Sequence, residues 1–101
     1  MGLYEEPRLR AQMYAEQYAL ALSDELGAGV HGIVFATESQ SQRGASAMRS
    51  AVKAHQRETE YCRERDVYFR LRQERVTKIR RCNVPQLLRY DDELLIIEMT
   101  M

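Results

Sequence analysis

The sequence predicts an α+β fold, a five-stranded antiparallel sheet with one long helix and a second helix ahead of it. Three observations carry that reading. Helix and strand signals run in the order helix, three strands, helix, two strands. A glycine-rich stretch from Gly27 to Gly32 runs into Ile33-Val34-Phe35-Ala36, which is β-branched and aromatic, a strand signal. Residues 56–76 contain no glycine or proline and are dense in arginine and glutamate, the texture of a charged helix.

Each element has its own local reason. Pro7, preceded by Glu5 and Glu6, suits a helix opening: proline fits the first turn, and carboxylates fit the positive end of the dipole. Strong helix formers continue to about Tyr18. Leu9, Met13 and Leu20 share a stripe, but Glu16 falls on it too, so this helix is expected at the domain's edge or against something outside the chain. Residues 1–21 are therefore read as a helical extension and 22–101 as the domain proper. Leu22 to Leu26 reads as a short first strand, and Ile33 to Ala36 as the second. Thr37 to Ala45, polar and carrying Gly44, reads as a turn. Ala47 to Ala54 is the third strand, with Met48, Ser50 and Val52 on one face and Arg49, Ala51 and Lys53 on the other. Asn83-Val84-Pro85 breaks the long helix off. Leu87 to Tyr90 reads as a strand, Asp91-Asp92 as a turn, and Leu94 to Ile97 as a buried strand. No internal repeat or low-complexity segment interrupts this order.

Bulk properties narrow the function classes. At 101 residues the chain is one domain near the lower end of what builds its own core. Fifteen basic residues balance fifteen acidic ones, so no net field draws it to nucleic acid or to an anionic membrane. The same balance gives little colloidal protection and leaves homo-oligomerisation or a protein partner open. No apolar run approaches the roughly 18–20 residues needed to cross a bilayer. The N-terminus has no basic-then-apolar leader, so a cytoplasmic location is expected. Cys62 and Cys82 stand apart with no CxxC spacing and no nearby histidine, and are expected to be reduced thiols rather than a disulfide or a metal site.

The glycine stretch is the first candidate for chemistry. A dinucleotide-binding turn sets its glycines between a strand and a helix, with an acid about 20 residues on. Here a strand follows, and the residue at that distance is Lys53, of the wrong sign for ribose hydroxyls. A glycine-rich turn between antiparallel strands instead lets backbone N–H groups approach phosphate oxygens closely; a hairpin with no ligand is its plain alternative.

Leu26-Gly27-Ala28-Gly29-Val30-His31-Gly32-Ile33-Val34 resembles the glycine-rich loop of protein kinases. Ala51-Val52-Lys53 resembles their third-strand motif, which ends in the phosphate-binding lysine. Ile96-Ile97-Glu98-Met99-Thr100 resembles the strand that runs into the hinge between the two kinase lobes. The pieces come in the family's order over residues 22 to 101.

The resemblance implies an ATP-binding small lobe of a serine/threonine-type kinase-like phosphotransferase. Its nucleotide site would comprise Leu26, Gly27, Gly29, Gly32, Val34, Ala51, Lys53, Glu64, Ile97, Glu98 and Thr100. Val34 and Ala51 would cover the adenine with Ile97 behind it, and backbone groups of Glu98 and Thr100 would bond its edge. Gly27, Gly29 and Gly32 would lie over the phosphates, which Lys53 would neutralise. The residues themselves supply a partner for that lysine. Val67, Tyr68 and Leu71 lie on one face of the long helix, and Glu64 falls in the middle of their stripe. A carboxylate there needs a cation. Glu60, one turn earlier, is the rival.

The departures are also legible. His31 stands at the loop tip where the family has an aromatic residue. Lys53 and Glu64 are only eleven residues apart, and residues 72–84 form a longer link than usual. The resemblance implies ATP with magnesium, yet the His-Arg-Asp and Asp-Phe-Gly segments that supply base and metal ligands belong to a large lobe, and none of the 101 residues substitutes for them. Catalysis alone is not expected. The partners this implies are ATP and either a large lobe or another protein; the alternative function is a non-catalytic, stand-alone interaction or regulatory module.

Overall fold

In the computed structural model, which describes residues 6–39 and 49–101, helix α1 spans Pro7–Gln17 and helix α2 spans Glu58–Gln73. The strands are β1 (Leu20–Gly29), β2 (Gly32–Ser39), β3 (Arg49–His55), β4 (Lys78–Ile79), β5 (Cys82–Asn83), β6 (Leu87–Asp91) and β7 (Ile96–Thr100). Five of them form one antiparallel sheet in the order β1-β2-β3-β7-β6, with α1 on one face and α2 on the other. The α+β class and the five-stranded antiparallel sheet agree with the sequence reading. Ala47, Met48 and the turn expected through Ala45 lie in part or whole outside the described residues.

Helix α1 starts where Pro7 and Glu6 place it: Glu6 is the N-cap, its carboxylate accepting from the Arg8 amide at 3.3 Å. The expected apolar stripe is wrong, however. Leu9 and Met13 are only half-buried, and the face on the sheet is Arg10, Ala11, Tyr14 and Ala15. Two small alanines let the helix lie close, and their core continues through Val52, Ala54, Leu94 and Ile96. The helix therefore shares the main core of the sheet and does not sit at its margin.

Arg10 explains why a charge was tolerated there. Its Nη1 and Nη2 donate to the carbonyls of Leu94 (2.7 Å) and His55 (2.6 Å), two acceptors where the strands run out. Glu98 does the same from the sheet side. Its buried carboxylate accepts from Tyr14 Oη (2.7 Å), Ser50 Oγ (2.7 Å) and Arg89 Nε (2.8 Å), so the desolvated charge has three donors.

The link after α2 holds an element that sequence signals missed. β4 and β5 form a small hairpin whose two turn residues, Arg80 and Arg81, both have left-handed backbone (φ 51 and 67). Such turns usually advertise themselves by Asn-Gly or Asp-Gly, and two arginines carry no such signal. α2 itself is shorter at both ends than residues 56–76. β7 begins at Ile96, two residues later than expected, because Asp91 accepts from the amides of Glu93 and Leu94 (both 2.9 Å) and holds the turn open to Leu95.

No helix among the described residues is long and apolar enough to cross a membrane. Cys62 and Cys82 are free thiols.

Candidate functional site

The strand register assembles the site. Gly27 pairs with Val34, Val34 with Lys53, Lys53 with Ile97 and Ile97 with Tyr90, so one row crosses the whole sheet. Ala36, Ala51, Met99 and Leu87 form the next row on the same face, two residues along β2, β3 and β7. Residues two apart on a strand share a face, so Ala51, Lys53 and His55 all point to the α2 side. Ala51, Ile97, Tyr61, Leu87 and Met99 form the core there, with Val34, Tyr68 and Phe69 against it.

Lys53 Nζ lies 2.8 Å from Glu64 Oε2. Glu60 has a different partner: its Oε1 lies 3.0 Å from His31 Nδ1 at the tip of the glycine hairpin. The rivalry between the two glutamates thus ends with Glu64 on the lysine and Glu60 on the hairpin tip. The stripe used to locate Glu64 needs amendment, since Val67 is 54% exposed. The residues that flank Glu64 toward the sheet are Tyr61 and Tyr68, three and four residues away on the same helix face.

His55 is the residue sequence reasoning passed over. It is 0% exposed, its Nε2 lies 2.6 Å from the same Glu64 oxygen that meets Lys53, and its Nδ1 lies 3.1 Å from the Leu95 carbonyl. Its ring also meets Tyr61 edge-on, with centroids 5.4 Å apart. A signal existed: His55 stands two residues beyond Lys53 and so on the same strand face. Burial raises the Glu64 carboxyl, but hydrogen bonds from His55 and Lys53 outweigh it and bring the pKa down to about 2.

The glycines divide into two kinds. Gly32 has φ +145, and a Cβ there would stand 2.2 Å from the Ala54 carbonyl oxygen, so the close pairing of β2 with β3 requires it. Gly27 and Gly29 have no such reason, since a Cβ at either would meet nothing within 4 Å. Val30 and His31 make the hairpin turn, and Val30 is 81% exposed; Leu26 is exposed as well.

At the other end of the expected site, the two hinge-like residues are engaged within the fold. The Glu98 side chain points away from Lys53, toward α1. Its backbone lies inside the sheet with Val52 on one side and Arg89 on the other. The Thr100 amide already donates to the Gln86 carbonyl at 2.9 Å, because β6 pairs with β7 nearly to its end. That N–H is not free for a purine edge. Among the described residues no three His, Cys, Asp or Glu side chains are grouped to hold a metal ion.

No family model matches the chain, and no curated protein or solved structure matches it.

Proposed function

We propose that the chain is a nucleotide-binding small lobe of protein-kinase-like type, taking ATP beneath the β1–β2 hairpin and against Lys53. The observation that carries this reading is the Lys53–Glu64 pair at 2.8 Å, in one cross-strand row with Gly27, Val34 and Ile97. A lysine held by a helix carboxylate beside a bare glycine hairpin suits a phosphate chain: the ammonium offers charge, and the hairpin offers backbone N–H groups. Gly27 and Gly29, which packing within the chain does not demand, leave the space that such a ligand needs. Val34 and the edge of Ala51 supply an apolar wall for a purine. The purine-edge bonds would come from groups other than the Thr100 amide. Magnesium would be held chiefly by the phosphates and by residues other than those described, and phosphoryl transfer would need a large lobe.

The test is titration with ATP, with and without magnesium, on the wild type and on Lys53→Met. Binding at millimolar ATP or below is expected, weakened about tenfold by loss of the ammonium. Absence of binding at millimolar ATP removes the reading, and binding indifferent to Lys53→Met removes the role of the lysine.

A second reading, a non-catalytic docking module, draws on the apolar side chains left exposed at Leu26, Val30, Val67 and Met101. A large lobe would cover such residues equally well, so ATP binding is the observation that separates the two.

A further inference from the structure

Two side chains, Lys53 and His55, meet Glu64 at one oxygen, Oε2, and the two are held very differently. His55 is fixed on every side. Its backbone N–H (3.0 Å) and its ring Nδ1 (3.1 Å) both meet the Leu95 carbonyl, and its own carbonyl accepts from Arg10. Its ring packs against Tyr61 and is wholly buried. Leu95 has φ 56, a left-handed conformation that a β-carbon-bearing residue adopts only where the surrounding contacts maintain it. Both ring nitrogens face oxygen atoms, Nε2 the Glu64 carboxylate and Nδ1 the Leu95 carbonyl. Lys53 reaches the same carboxylate on a flexible four-carbon stem and keeps part of its side chain in solvent.

We propose that His55 is the permanent partner of Glu64 and Lys53 the releasable one, so that Lys53 can turn to an anionic ligand without leaving Glu64 unpaired. His55 is then a positioning residue. It holds the carboxylate at one place while the ammonium divides its donors between Glu64 and a phosphate. The ligand half of this idea rests on the reading given under Proposed function; the order of the two partners does not. A carboxylate with a single cation would oppose the lysine's departure, because a half-buried unpaired charge is costly. A second fixed donor lowers that opposition.

The experiment compares the wild type, Lys53→Met and His55→Gln by NMR of the Glu64 carboxyl carbon, the His55 ring nitrogens and the Lys53 amine nitrogen, with urea unfolding alongside. In Lys53→Met the Glu64 carboxyl signal should move with the loss of its ammonium donor, the His55 ring signals should stay at their wild-type positions, and the folding constant should fall by less than about threefold. In His55→Gln the Glu64 and Lys53 signals should both move, and the folding constant should fall by about tenfold or more. The proposal is overturned if Lys53→Met displaces the His55 ring signals, or if His55→Gln leaves Glu64 and Lys53 where they were. Should His55→Gln not fold, the Lys53→Met comparison decides alone. Inorganic pyrophosphate added to the wild type should move the Lys53 signal and spare His55; movement of both overturns the proposal. If pyrophosphate and ATP both fail to bind, the nucleotide reading falls, while the Lys53→Met result still decides which partner is permanent.

Discussion

Glu64 sits between opposing forces: burial raises its carboxyl pKa, and hydrogen bonds from His55 and Lys53 lower it by more, from 4.5 to about 2. A depressed folded-state pKa means that the native state releases this proton more readily than the unfolded chain does. The stabilisation is therefore complete above about pH 4.5 and lost as the pH falls toward 2. A shift of that size corresponds to at most about 3 kcal/mol, less what solvent removes from a side chain still partly exposed. Urea unfolding from pH 7 to pH 2 should show this loss, and Glu64→Gln should flatten that part of the profile while lowering stability at neutral pH. An unchanged profile in Glu64→Gln would mean the acid sensitivity comes from other groups, of which Glu98 and Asp92, both shifted down, are the candidates. Lys53 was legible because strand alternation fixes its direction, whereas Glu64 was placed through a helix stripe that includes the exposed Val67 and through the resemblance to the kinase helix pattern. For His55 the sequence carried only its direction, on the strand face of Lys53, and not that the same carboxylate, nine residues on, would meet it. That the Thr100 amide is already taken was not legible for a related reason. A strand's local pattern does not reveal how far its neighbour will extend, and β6 runs on to take the Thr100 amide.

The β1–β2 hairpin was predicted from its glycines and the strand after them, and that logic holds at both ends of the turn. Its glycines nonetheless answer to different demands. Gly32→Ala drives a methyl toward the Ala54 carbonyl oxygen, which is backbone and cannot swing aside. The cost should be on the order of 3 kcal/mol, seen as a lowered urea midpoint. Gly27→Ala and Gly29→Ala meet open space and ordinary backbone angles, so stability should stay within about 1 kcal/mol of the wild type. If the hairpin covers phosphates, those two variants should still weaken ATP binding, a split between stability and binding that Gly32→Ala would not show. Equal loss of stability at all three positions would remove the distinction. The β4–β5 hairpin marks the opposite limit of sequence reading. Its left-handed pair is Arg80-Arg81, so the turn is imposed by the flanking pairing of Ile79 with Cys82, with no help from residue preference.

At the scale of the whole molecule, α1 decides whether the fold is a sheet with an appendage or one cooperative unit. Its apolar pattern suggested an appendage, because periodicity weighs leucine and methionine heavily and alanine and arginine hardly at all. The packing shows otherwise. Ala11, Tyr14 and Ala15 share a core with Val52, Ala54 and Ile96, and Arg10 ties the helix to the carbonyls of β3's last residue and the turn before β7. Those bonds fix the carbonyl of His55 itself and that of Leu94, next to the Leu95 carbonyl that meets His55, so the helix also braces the Glu64 cluster. Hydrogen exchange should therefore give the amides of α1 from residue 13 to 17 nearly the protection of those in β3, within about tenfold, since both would open only in global unfolding. Arg10→Ala strands two carbonyls and should lower stability by about 2–3 kcal/mol. It should also lower protection in α1 and at His55 together. If α1 exchanges far faster than β3 in the wild type, the helix opens by itself, and the sheet's α1 face, with Val52, Ala54 and Ile96 on it, is exposed to other molecules for a measurable fraction of the time. In that case Arg10→Ala would change α1 alone and leave the His55 and Glu64 signals as they are.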